Sequence, residues 1–312
     1  MSELILFGEP MVMFVADTAG DLAEVDHFTK MLAGAEVNVA IGMRRLGHSV
    51  TYVTKLGCDP LGEYISRRLE TEGLNPQVIF DETHWTGFQM KDKVTEGDPL
   101  VFYFRRNSAA SSITPQEIEQ IDFTGAKLLH ITGIPPAISL SCRDATYRIM
   151  ELARENGLYI SFDPNLRPGL WEDETTMVRV INDLAVKADL VLPGTGEGKI
   201  LMGSEKPEDI ADFYLSQGVS SVIVKAGARG AYAADKDGGR YCPGFRVEKV
   251  VDTVGAGDGF AVGALSGLLE GLPLEKMCER GNAIGAMQVS VRGDNEGLPT
   301  PEILAEFLEE RA

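Results

Sequence analysis

Apolar and polar positions along this chain fall into blocks that switch between two periods. The opening LILFG is a short apolar run halted by a glycine, the pattern of a strand buried on both faces. Residues 35–47 then repeat apolar positions at helical spacing and end on Gly47, and the β-branched SVTYVTKLG after them predicts a strand. A helix over 61–72 follows. The same order returns with AKLLHITG, a helix over 143–156, LYISFDPN, a helix over 177–187, ADLVLPG, a helix over 210–217 and SVIVKAG. Strands alternating with helices of this length predict an α/β fold, a doubly wound and mostly parallel sheet flanked by helices. Such sheets bind ligands beyond the C-terminal ends of their strands.

Two stretches, about 12–30 and 85–105, break this order. They read as strands with no helix between them, and Gly97-Asp98-Pro99 supplies a turn signal within the second. A small antiparallel sheet projecting from the main one accounts for both, serving either as a lid or as a passive extension of the sheet edge. The last third turns helical, over 256–270, 274–290 and 301–310, after an extended FRVEKVV. No stretch of linker composition divides the chain, so residues 1–312 are expected to form one domain with inserted lid strands.

Charge narrows the partners. A formal net charge of −18 works against nucleic acid, which is held by clustered Lys and Arg. The N-terminus lacks a basic flank, and Glu9 and Pro10 interrupt its apolar run. Neither a signal peptide nor a membrane span is expected, and a cytoplasmic location is the default. Cys58, Cys142, Cys242 and Cys278 are scattered, as are His27, His48, His84 and His130, so zinc and disulfide frameworks have little support. Chemistry must come from carboxylates, cations and backbone.

Two glycine-rich stretches could hold phosphate. LPGTGEGKI resembles a P-loop, but Pro193 stands where its first glycine belongs and Ile200 where a hydroxyl should reach magnesium. A plain strand-to-helix turn is the better reading. In DTVGAGDGF, Gly255, Ala256 and Gly257 let backbone N–H groups converge where a helix begins, and the helix dipole favours an anion there. Asp258 in the first turn could accept the proton of a substrate hydroxyl beside that anion hole. The simpler alternative has Thr253 as the N-cap and Asp258 as a dipole-stabilising acid.

The whole chain resembles the ribokinase-like (PfkB) family of sugar kinases. DTVGAGD is similar to its C-terminal signature and AGAEVNVA, followed by Gly47 and Gly57, to its N-terminal one. Within the family, GAEVN, YFRRNSAAS, FDPNLRPGLW and RGDNEG resemble the subgroup acting on 2-keto-3-deoxygluconate. The resemblance implies ATP-dependent phosphorylation of that sugar acid at its 6-hydroxyl, with Mg²⁺ as cofactor. Asp258 would be the base and Gly255 to Gly257 the anion hole. Gly34, Asn38, Tyr103, Arg105, Arg167 and Asp294 would surround the sugar acid, while Lys225, Gly227, Gly230 and Asn282 would line the nucleotide with Asn165 near its phosphates. Glu197 matches a family carboxylate that organises magnesium through water, although Gly194 replaces the Asn or Ser expected before it. A potassium (K⁺) site near Asp252 and assembly into homo-oligomers through the lid are also implied. Adjacent Arg105 and Arg106 beside an aromatic are unusual in so acidic a chain, and Arg pairs well with a planar carboxylate. They could equally sit on a solvated lid face or pair with nearby acids. The rival functions are a fructokinase or another keto-acid kinase of the family, and a non-catalytic sugar or nucleotide sensor.

Overall fold

The computed structural model describes residues 2–94, 99–291 and 293–311. Gly97 and Asp98 of the expected turn, and Arg292 of RGDNEG, lie outside the described residues. The chain opens with strands β1 (Leu4–Phe7), β2 (Met11–Ala16) and β3 (Phe28–Ala33), then helix α1 (Ala35–Arg45), β4 (Val50–Gly57) and α2 (Pro60–Thr71). Strands β5 (Asn75–Asp81), β6 (Phe88–Lys91) and β7 (Val101–Phe104) precede the short α3 (Pro115–Ile118). Regular alternation resumes with β8 (Leu128–Thr132), the short α4 (Pro135–Ile138), α5 (Leu140–Glu155), β9 (Tyr159–Asp163), α6 (Glu174–Ala185), β10 (Leu190–Val191), α7 (Thr195–Met202), α8 (Pro207–Leu215) and β11 (Ser221–Lys225). A hairpin, β12 (Gly230–Asp235) and β13 (Gly238–Pro243), leads to α9 (Ala256–Leu269), α10 (Leu274–Gln288) and α11 (Pro301–Glu309).

Nine strands form the main sheet in the order β13-β12-β11-β10-β9-β8-β1-β4-β5. Every pair from β5 across to β11 is parallel, and the β12–β13 hairpin adds two antiparallel pairs, β11–β12 and β12–β13, so that β12 alone runs against the other strands. Period-two alternation explains why the strands are apolar throughout. Leu4 and Leu6 enter the core beneath α1, α9 and α10, whereas Ile5 and Phe7 enter the core on the other face with residues of α5, α6 and α8. The chain winds from β1 out to β5, then returns to β8 on the other side of β1. That reversal is a topological switch point, where such sheets leave a crevice at their C-terminal ends.

The second sheet has the order β3-β2-β6-β7. It occupies the two stretches read as strands without helices, but it is not purely antiparallel. Strands β2 and β6 pair in parallel because each leaves the main sheet in the same direction, and only the outer pairs are antiparallel. One face stacks Phe14, Phe88 and Phe104, with Phe88 and Phe104 centroids 4.6 Å apart. The opposite face buries Gln89 and Lys91.

Other departures are local. The β12–β13 hairpin escaped the sequence reading because Lys236-Asp237 is a polar turn without a preceding strong strand signal; Asp235 caps it by accepting the Asp237 N–H. FRVEKVV forms no strand. Past the edge strand β13 it finds no ladder, and the Val251 N–H donates instead to the Val289 carbonyl at the end of α10. The near-P-loop folds as a turn into α7. Among the described residues no helix is long and apolar enough to cross a membrane.

Candidate active site

A cleft of about 580 Å³ opens at the C-terminal ends of the parallel strands, between the main sheet, the small sheet and the start of α9. Strand ends deliver Asp163 and Lys225. The loop beyond β9 supplies Asn165 and Arg167, the first turn of α7 supplies Glu197, and the small sheet supplies Gln89, Lys91 and Tyr103, with Arg105 just past the end of β7.

The N-cap of α9 is Gly255, not Thr253. Gly255 has φ 76°, a left-handed conformation open to glycine, and a Cβ there would lie 2.3 Å from the Asp294 carbonyl oxygen. Thr253 contributes its carbonyl, which accepts the Ala256 N–H at 3.4 Å, so Ala256 turns its amide away from the cleft and is not among its lining residues. At Gly257 a Cβ would meet only the Lys225 ammonium, at a contact distance of 3.9 Å. The bare backbone of Gly257 therefore lines the cleft beside a cation and the helix N-terminus, a combination that favours an anion.

Asp258 stands in that first turn. Its Oδ2 accepts from Asn38 Nδ2 at 2.8 Å, and Asn38 Oδ1 in turn accepts from Asn295 Nδ2 at 3.2 Å. Both amides are thereby fixed in orientation, and Asn38 acts on the carboxylate rather than only lining a pocket. Burial pushes the Asp258 carboxyl up to about 6, opposed by the Asn38 hydrogen bond and the Arg167 charge. A carboxylate so tuned can hold a proton transiently near neutral pH.

On the facing wall Asp163 Oδ2 takes the Lys225 ammonium at 2.6 Å, while Asp163 Oδ1 is buried without a hydrogen-bond partner. Burial alone would lower the Lys225 pKa, but the Asp163 and Glu197 carboxylates overcome it and raise it, so the cation persists. Glu197 reaches back to the Gly194 N–H at 2.7 Å and accepts from Leu166 N at 3.3 Å. With glycine at the N-cap no reciprocal side-chain bond forms, and Glu197 ties the turn before α7 to the loop after β9. That loop holds Asn165 and Arg167 at φ 37° and 44°, a left-handed backbone for two non-glycine residues that places both side chains in the cleft.

The pfkB family carbohydrate kinase profile matches residues 1–301. The chain belongs to the pfkB family of carbohydrate kinases. It is 50% identical over 308 residues to the 2-dehydro-3-deoxygluconokinase of Bacillus subtilis strain 168, covering 98% of this chain and 95% of that enzyme. Its fold superposes on the crystal structure of a PfkB protein from Polaromonas sp. JS666 with a TM-score of 0.90 and 44% identity, over 98% of this chain and 99% of that one. A putative ribokinase II from E. coli, solved with ATP and Mg²⁺, superposes with a TM-score of 0.88 at 25% identity, over 99% of this chain and 100% of that one. ATP and a divalent cation are the cofactors of this kinase family.

In this kinase the residues read from the sequence divide into those the cleft gathers and those it does not. Gly34, Asn38, Tyr103, Arg105, Asn165, Arg167, Glu197, Lys225, Gly255, Gly257, Asp258 and Asp294 line it. Gly227, Gly230 and Asn282 do not. Asn282 Nδ2 is spent on the Cys242 and Pro243 carbonyls, and a Cβ at Gly230 would strike the Cys242 carbonyl oxygen at 2.1 Å, so both hold β13 in place. Arg105 and Arg106 part company: Arg106 is exposed, whereas Arg105 is buried, with Nε and Nη2 both reaching Glu9 Oε2 at 2.7 and 2.6 Å. Ser108 Oγ donates to the other oxygen of Glu9. Arg105 therefore arrives oriented and half neutralised. Burial pushes Asp294 up to about 6, against the nearby Lys91.

Sequence reasoning passed over Lys91, Gln89, Asn295 and the pairing of Asp163 with Lys225. A signal for the first two exists. In FQMK the polar residues alternate with apolar ones, so both fall on one face of β6, and only the fold shows that the polar face is the buried one.

The donor set suits magnesium. Mg²⁺ is held through one or two carboxylates together with waters and phosphate oxygens, and the buried orphan oxygen of Asp163 beside Glu197 offers such a foothold.

Proposed function

We propose that this kinase transfers the γ-phosphoryl group of ATP to the 6-hydroxyl of 2-keto-3-deoxygluconate, also called 2-dehydro-3-deoxygluconate, giving the 6-phosphate. The observation that carries the reading is the 50% identity, over nearly the full length of both chains, to an enzyme named for that substrate. The cleft is consistent with it. Arg105 and Arg167 supply cations for the acid's carboxylate, which a neutral sugar would not need.

Asp258, oriented by Asn38, accepts the hydroxyl proton as the new O–P bond forms. The Gly257 amide and the α9 N-terminus take up charge gathering on the transferred phosphoryl oxygens, with Lys225 beside them. Asp163 and Glu197, the latter through water, would hold Mg²⁺, which supplies positive charge to the ATP phosphates. The small sheet, whose Tyr103 lines the outer wall with Arg105 just past the end of β7, excludes water that would otherwise compete as acceptor.

Magnesium-dependent ADP release, measured with 2-keto-3-deoxygluconate and fructose in parallel, tests the substrate. Higher kcat/KM for the keto acid is expected. Preference for fructose would keep the kinase and discard the carboxylate clamp, and binding of sugar and nucleotide with no ADP release would favour a sensor.

A homo-oligomer joined through the small sheet also belongs to this reading. Phe102, Phe104 and Leu100 on or beside the edge strand β7, and Trp85 before β6, are each about half exposed, apolar surface at a sheet edge that a second copy would cover. Sedimentation as a dimer or larger species is expected; a monomer at micromolar concentration would remove the proposal.

A further inference from the structure

The structure disagrees with a potassium site at Asp252. Asp252 Oδ1 accepts the Val254 N–H at 3.1 Å, and its Oδ2 faces the Lys91 ammonium at 3.4 Å. The same ammonium lies 3.8 Å from Asp294 Oδ1, an oxygen that is buried and has no hydrogen-bond partner. All three side chains are nearly buried, with 8%, 11% and 9% of their surface exposed for Lys91, Asp252 and Asp294. A metal cation sharing the Asp252 carboxylate would sit against a like charge. At about 4 Å and an effective dielectric near 20 that repulsion is on the order of 4 kcal/mol.

We propose that Lys91 supplies, from the small sheet, the positive charge that the Asp252 and Asp294 carboxylates require, so that turnover needs no added monovalent cation. Both acids flank the anion hole. Asp252 precedes Gly255 by one short turn, and the Asp294 carbonyl packs against Gly255 itself. Left without a counter-charge, two buried carboxylates would set a negative potential beside the helix N-terminus, where charge gathers on the moving phosphoryl group. Lys91 is the last residue of β6, and its backbone pairs with Val15 of β2 and Val101 of β7. Its ammonium therefore reaches the carboxylates only while the small sheet covers the cleft. Lys91 is a positioning residue: it acts through Asp252 and Asp294 on the anion hole.

The inference rests on the kinase reading, and its test separates the two. ADP release with saturating ATP, Mg²⁺ and 2-keto-3-deoxygluconate would be followed in potassium chloride and in tetramethylammonium chloride of equal ionic strength, for the wild type, Lys91→Met and Lys91→Arg. The wild type is expected to differ by less than about twofold between salts, and Lys91→Met to lose about tenfold or more in kcat in tetramethylammonium, with part of the loss restored by potassium or propylammonium. Lys91→Arg, which keeps the charge, should remain independent of potassium. A wild type activated more than about fivefold by potassium, a Lys91→Met enzyme as active as the wild type without it, or a loss that neither cation restores would overturn the proposal. If Lys91→Met fails to fold, the salt response of the wild type and Lys91→Arg still decides. No ADP release by the wild type with this acceptor in either salt would count against the substrate reading instead, and the same comparison would then be made with fructose.

Discussion

Asp258→Asn lowers kcat by about 10³-fold, within the range a positioned general base contributes, without loosening the fold. The two readouts should move in opposite directions. Because burial raises this carboxyl to about 6 from its ordinary 3.8, the proton is bound more tightly in the folded state. The stability it contributes is complete below about pH 4 and is lost as the pH rises through about 6. Asparagine carries no such penalty, so thermal unfolding at pH 8 should occur no earlier in the variant, with a gain of up to about 3 kcal/mol. The wild-type kcat/KM should fall about tenfold per pH unit below pH 6, as the base is protonated. Near-normal turnover in Asp258→Asn, or a flat profile down to pH 5, would remove Asp258 from the role of base.

Arg105→Met destabilises the protein by about 3–5 kcal/mol, because Glu9 is then left as a buried carboxylate without its cation. Glu9 is 2% exposed, and its only other side-chain partner among the described residues is the Ser108 hydroxyl. Adding Glu9→Gln should recover most of the lost stability by removing the stranded charge. It should not recover turnover of the keto acid, since the guanidinium that faces the cleft is still missing; a loss of kcat/KM equivalent to about 2–5 kcal/mol is expected in both variants. Unfolding by urea and kcat/KM on the keto acid report the two effects separately. A single variant that loses less than about 1 kcal/mol would mean that the Glu9–Arg105 pair is not held as described, and full activity in the double variant would end the role of Arg105 in binding.

These two residues show how differently the site was legible. Asp258 could be named from nine consecutive residues, because an anion hole at a helix N-terminus is a local device: small residues, a helix start and a first-turn acid are neighbours in sequence as well as in space. Arg105 could be named as a cation suited to a carboxylate, but its partner Glu9 lies 96 residues away, and nothing local marks a pairing at that distance. Lys91 was passed over for the same reason. Alternation placed it on one face of β6, and only the docking of that face against residues 252 and 294 gives the ammonium something to do.

Hydrophobic period alone determined the fold class, the positions of most strands and helices, and the two stretches that leave the main sheet, since burial on one or both faces of an element is written into successive residues. Local backbone chemistry likewise determined where α9 begins to within a few residues. Tertiary structure decided what each polar side chain does. It joined Asn295, Asn38 and Asp258 into one chain of hydrogen bonds, sent Asn282 and Gly230 to hold a strand, and set one ammonium between two acids. The physical reason is range. Propensity and period act over a few residues, whereas the charge balance of a buried site depends on which groups from distant segments share a low-dielectric space.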